Sequence, residues 1–142
     1  MRRTIFATVL LLLAPLASQA AEPIEGYWLT ENKRAIIKTR ICGNKVCGTM
    51  VWIQNPVDDA GKVKLGANGK PLCGTELIGG LKRDGDDKWD GGWVLDPRSG
   101  ERYSANLRLV SPQKIKLRGY LVLPLLGSSQ TWTRVPDDRG GC

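Results

Sequence analysis

A chain of 142 residues with 42% hydrophobic and 25% charged side chains has the size and composition of one globular domain, and 21 Lys plus Arg against 14 Asp plus Glu give it a net charge of +7. It contains no histidine, which removes imidazole general bases, Ser-His and Cys-His nucleophile pairs and most zinc sites from consideration. Its basic residues are scattered, without the dense run or interleaved aromatics that nucleic-acid readers carry, so no nucleic acid is expected as a partner.

The first segment reads as a leader. Arg2-Arg3 precede an apolar run from Ile5 to Leu16, and Ser18-Gln19-Ala20 places small residues where a signal peptidase reads. Cleavage after Ala20 is expected, so that 1–20 is a secretory signal peptide and 21–142 a single domain of a periplasmic or secreted protein. Arg2 and Arg3 leave with the leader and lower the net charge by two. The remaining sequence has no apolar stretch of membrane-spanning length.

From there on the hydrophobic period is two. Strands are predicted near Gly26–Thr30, Ala35–Cys42, Val46–Gln54, Cys73–Leu81, Lys88–Leu95, Tyr103–Leu109, Lys114–Tyr120 and Ser129–Val135, with Asn55 to Lys70 as one long polar loop. Tyr103, Ala105, Leu107 and Leu109 fall on one face of their segment. Ile115, Leu117 and Gly119 do the same in the next, while Lys114, Lys116 and Arg118 take the other face. Val110-Ser111-Pro112-Gln113 joins these two as a hairpin, and Asp96-Pro97-Arg98-Ser99-Gly100 is another turn. Leu121-Val-Leu-Pro-Leu-Leu126 is an uncharged run around a proline, readable as a locally buried segment or as a greasy lip.

Four cysteines in an exported chain point to disulfides. Cys42 and Cys47 flank a turn-like Gly-Asn-Lys-Val, a spacing that brings strand neighbours within reach of a bridge, and Cys73 and Cys142 are left to each other. Four cysteines allow three connectivities, and this is the one the spacing favours. No metal site is expected. The acidic stretch Asp84-Gly-Asp-Asp-Lys-Trp-Asp90 offers paired carboxylates, but it sits in a turn where Asp caps its own backbone. It also fails as a calcium loop, with Trp89 where glycine is needed and Leu95 where glutamate is.

Eight short strands suit an all-β fold, a single small antiparallel up-and-down barrel. Gly26-Tyr27-Trp28 in the first strand and Thr131-Trp132-Thr133-Arg134 in the last resemble the lipocalin-like (calycin) arrangement, in which the terminal guanidinium stacks across the first-strand indole. Trp28, Trp132 and Arg134 are then expected to plug one barrel end. Several further blocks are similar to the DUF2147 family, small exported bacterial proteins without an established activity. They are Cys42-Gly-Asn-Lys-Val-Cys47-Gly48-Thr-Met-Val-Trp52, Pro71-Leu-Cys73-Gly74, Trp89-Asp-Gly-Gly92, Asp96-Pro97-x-x-Gly100 with Tyr103-Ser104, and Gln130-Thr-Trp-Thr-Arg134. The chain departs from a common version of that pattern in lacking a cysteine just before Gln130. The resemblance implies fold and location and lends no catalytic residue.

The expected function is therefore non-enzymatic binding without a cofactor. A small apolar or amphipathic ligand would sit in the barrel against Trp28, Met50, Trp52, Trp93, Leu107, Ile115 and Leu117. The alternative is a cell-envelope interaction protein whose core is filled by its own side chains and which acts through its surface.

Overall fold

The computed structural model describes residues 14–15, 21–121 and 127–142. The expected leader therefore lies outside the described residues except for Ala14 and Pro15, as does the run after Leu121 as far as Leu126. Eight strands follow one another: β1 (Gly26–Leu29), β2 (Ala35–Cys42), β3 (Lys45–Ile53), β4 (Glu76–Arg83), β5 (Lys88–Leu95), β6 (Arg102–Ser111), β7 (Lys114–Tyr120) and β8 (Ser128–Val135). Each pairs antiparallel with the next, and β1 pairs with β8 through Tyr27–Val135, Trp28–Arg134 and Leu29–Thr133, so the sheet closes on itself. Closure leaves no free sheet edge among these strands. The long loop after β3 is not featureless: it carries two isolated bridges, Val57–Val63 and Leu65–Pro71.

Alternation decides which side chains fill the barrel. On β6 and β7 the register pairs Leu107 with Leu117 and Leu109 with Ile115, and all four pack inward. Two β-bulges then re-aim the aromatic side chains. On β3, Ile36 faces Trp52 whereas Ile37 faces Met50, so Val51 is an extra residue and the inward set changes parity across it. Met50 therefore points into the core with Ile37, Ile53 with Ala35, and Trp52 turns to the outer surface beside Ile36. On β5 the register slips between Trp89 and Gly92, with Gly91 at φ +69°. Trp89, Gly92 and Val94 face inward and Trp93 outward. The expectation that Trp52 and Trp93 line the interior is corrected on this ground. Strict alternation across each segment puts them inside, and one inserted residue in each strand puts them outside.

Outside, each of the two indoles carries a guanidinium: Arg102 lies 3.9 Å from the Trp93 ring centre and Arg139 4.9 Å from that of Trp52. Gly79, opposite Trp93, makes room for that ring, because a Cβ there would come within 2.5 Å of it.

Both disulfides, Cys42–Cys47 and Cys73–Cys142, are present, with Cα separations of 5.9 and 5.8 Å. The first differs in detail from the spacing argument. The β2–β3 turn is only Gly43-Asn44, Cys42 stands opposite Lys45, and Cys47 stands opposite Arg40, so the bridge runs diagonally across the ladder. Gly43 supplies the positive φ of 69° that so tight a turn needs. The second bridge fastens the C-terminal tail beside the start of β4.

Candidate functional site

One end of the barrel is shut. Residues before β1 pass beneath it and bury Ile24 completely, and Trp28 stands above with no exposed surface. A buried indole N–H must find an acceptor. Trp28 donates to the Thr39 hydroxyl at 2.8 Å and to the Ile24 carbonyl at 3.2 Å, while Thr39 donates to the same Ile24 carbonyl at 2.5 Å. Arg134, paired with Trp28 across the β1–β8 seam, lays its guanidinium 4.2 Å from the centre of the Trp28 ring system. It donates to the carbonyls of Pro112 at 2.7 Å, Glu25 at 2.9 Å and Pro23. Partial burial lowers the Arg134 pKa from its ordinary value. Gly26 is glycine for a reason of space: its φ is +146°, and a side chain there would run into the guanidinium.

Above this plug the lower half of the barrel is packed solid by residues such as Val46, Leu81, Trp89, Leu107 and Ile115, all but 3% or less buried. The opposite half is open. A cup of about 1100 Å³ enters between the β1–β2, β3–β4 and β5–β6 connections. Its floor is Trp132, Met50, Leu77 and Leu117, and its walls include Ile53, Val94 and Tyr103. Polar groups gather above the floor, on the walls and rim. Trp132 donates its indole N–H to Gln130 at 3.0 Å, and Thr30 and Ser128 stand higher on the wall. Tyr103 turns its hydroxyl away to Glu101 at 2.6 Å, a bond that, with some burial, raises its pKa above 10. The rim is mostly basic, with Arg34, Lys64 and Arg98 against the single carboxylate of Asp96, 3.9 Å from Arg98.

Of the residues singled out in the sequence, Met50 and Leu117 line this cup, and Trp132 forms its floor rather than part of the plug. Trp28, Leu107 and Ile115 point inward but lie in the packed half, below the cup. Trp52 and Trp93 are on the outside. Leu77, Val94, Gln130 and Arg34 are cup residues that sequence reasoning did not single out. For Gln130 the signal was available, since it shares the face of Trp132 and Arg134 at spacing two. The acidic turn after β4 does not gather into a site: Asp84, Asp86 and Asp87 are exposed, and Asp90 accepts from its neighbour Gly91 N–H at 2.7 Å. Among the described residues no three His, Cys, Asp or Glu side chains converge as metal ligands would. No helix among them is long and apolar enough to cross a membrane.

The fold has a solved counterpart, the protein HP1028 of Helicobacter pylori, described as belonging to the lipocalin family. The two superpose with a TM-score of 0.64 at 15% identity, over 84% of this chain and 87% of that one. At that identity the likeness establishes the lipocalin-like fold and nothing of what is bound. No curated protein matches the sequence. A family model does, over residues 26–134, which run from the glycine under the plug to the arginine that closes it. The chain belongs to DUF2147, a family described as uncharacterized proteins conserved in bacteria.

Proposed function

We propose that the protein is a non-enzymatic binding protein that holds one small apolar or amphipathic molecule in the open half of its barrel. The observation that carries this reading is the asymmetry of the interior. The lower half is filled to the plug, and the upper half keeps a cup of about 1100 Å³ with an apolar floor and polar walls and rim. A concave site that sets polar groups above an apolar floor suits a small molecule with an apolar body and a polar end. The lipocalin-like fold and the absence of histidine support binding over catalysis. The alternative of a wholly filled core fits only the lower half. Two disulfides in a bacterial family fit a compartment outside the reducing cytosol. With the leader-like sequence of residues 1–20, they support a periplasmic or secreted protein.

The test is direct. Mature protein purified from the periplasm is weighed natively and after denaturation without reduction, and then titrated with the fluorescent amphiphile 1-anilinonaphthalene-8-sulfonate. Retained mass lost on denaturation, or saturable one-to-one binding of the dye, is expected. Leu77→Trp, which fills the cup from its floor, should weaken dye binding about tenfold while leaving the fold intact. A clean mass together with no saturable dye binding, or dye binding unchanged by Leu77→Trp, would remove the cup as the site.

A further inference from the structure

The outer surface of the barrel carries a row of cations that face one another across strands. Lys88 on β5, Arg108 on β6 and Lys116 on β7 stand directly opposite one another in the ladder, Lys88 facing Arg108 and Arg108 facing Lys116, and all three are exposed. Like charges facing each other across strands destabilise a sheet. Neither ion pair among the described residues, Arg83–Glu22 or Arg98–Asp96, relieves them. Arg102, Lys114 and Arg118 extend the basic surface along the same strands, and Asp90 is the one carboxylate in the sequence of β5–β8. Asp90 is itself engaged by Gly91 N–H and by the Tyr120 hydroxyl at 3.5 Å. A shallow groove of about 350 Å³ runs between Lys88, Arg108, Lys116 and Arg118, with Asp84 and Asp90 also on its wall, so that four cations face two carboxylates there.

We propose that the outer face of β5–β7 docks on an anionic phospholipid surface. Three features select that partner. The positive charges are spread in two dimensions, across three strands about 4.8 Å apart and along each strand, which matches a lattice of phosphate head groups better than a single anionic chain. At one end the face carries an exposed apolar side chain, Val110 at 56%, as a surface that settles at a bilayer boundary would. Finally, the charge repulsion is a standing penalty within the sheet that an opposing layer of phosphates would remove.

This proposal is independent of the cup and is tested without it. Mature protein is sedimented with vesicles of equal parts phosphatidylcholine and phosphatidylglycerol and, separately, with pure phosphatidylcholine, at low and at physiological salt. Binding to the mixed vesicles alone, weakened by salt, is expected. Arg108→Glu converts the row into two opposite-charge pairs, so its melting temperature should stay level or rise while vesicle partition falls by roughly tenfold or more. Lys62→Glu, which makes the same charge change in the β3–β4 loop, should bind like the wild type. Any of four results overturns the proposal: no binding to the mixed vesicles at low salt, binding undiminished in Arg108→Glu, an equal loss in Lys62→Glu, or tighter binding to soluble dextran sulfate than to the vesicles.

Discussion

Replacing Arg134 with alanine removes more than a charge. The guanidinium covers Trp28 at 4.2 Å and satisfies three backbone carbonyls that come from before β1 and from the β6–β7 turn. The stacking is worth about 0.5–2 kcal/mol. A hydrogen bond from a charged donor contributes about 1.5–3 kcal/mol where its acceptor is cut off from water. Here only the Glu25 carbonyl is partly buried, while those of Pro112 and Pro23 can turn to solvent once the side chain is gone. The expected loss is therefore about 2–5 kcal/mol, one stacking contact and one unmet acceptor rather than three. For a domain of this size, that lowers the melting temperature by about 8–20 °C. Arg134→Lys keeps the charge but presents a point donor without a planar face, so it should recover less than half of the loss. Gly26→Ala should displace the guanidinium and reproduce much of the defect, with little further loss when combined with Arg134→Ala. Calorimetry on the four proteins decides it. A fall smaller than about 3 °C for Arg134→Ala, or full additivity with Gly26→Ala, would refute the plug as a structural clamp.

The two disulfides should differ in weight. Cys73–Cys142 closes a separation of 69 residues and Cys42–Cys47 one of 5, so paired serine replacement should destabilise by about 4 and about 2 kcal/mol respectively, and equal or reversed losses by thermal melting would contradict the chain-entropy reasoning. Because the second bridge fastens the loop at the mouth, its loss should also weaken dye binding in the cup, whereas loss of the first, in the β2–β3 turn at the closed end, should not; fluorescence titration separates the two. At alkaline pH, Tyr103 is held protonated by its bond to Glu101, and Tyr120 by burial and then by Asp90, so both ionise above 10 in the folded protein. The unfolded tyrosines lose their protons first as pH rises, so these two contribute stability that is full below pH 10 and falls through the folded-state values. Tyr103→Phe with Tyr120→Phe should flatten that alkaline decline in urea melts, and an unchanged slope would count against both assignments.

Much of the fold was legible because its strands alternate cleanly where both neighbours are regular. Leu107, Ile115 and Leu117 sit on the inward face that a period of two assigns them. Trp52 and Trp93 were not legible in the same way. Each lies just beyond a bulge, and a bulge is set by how two strands meet, not by either strand alone. Gly91-Gly92 marks one of these bulges in the sequence, but Val51 carries no such mark. The extent of the cup was equally hidden. Inward residues of the lower and upper halves look alike in sequence, and only the path of the segment before β1, which buries Ile24, decides which half is filled.

That path also explains why the cup lies where it does. The chain enters the barrel beneath Trp28 and leaves it through Arg134, so the approach to β1 and the end of β8 are both committed to closing one end. The connections at the other end are free to differ in length, and the longest of them, after β3, is held rather than loose. Ala67 N–H bonds to the Pro97 carbonyl at 2.9 Å, tying the β3–β4 loop to the β5–β6 turn, and Gly74 N–H returns to Met50 at 2.8 Å. The Cys73–Cys142 bridge fastens the base of the same loop to the tail. A mouth whose longest loop is pinned at its tip and at its base presents a largely preformed entrance, so a ligand meets little ordering penalty from that loop on binding. Specificity then belongs to the side chains those loops hold at the rim, Arg34, Lys64 and Arg98, which favour a ligand whose polar end is acidic or neutral over a cationic one.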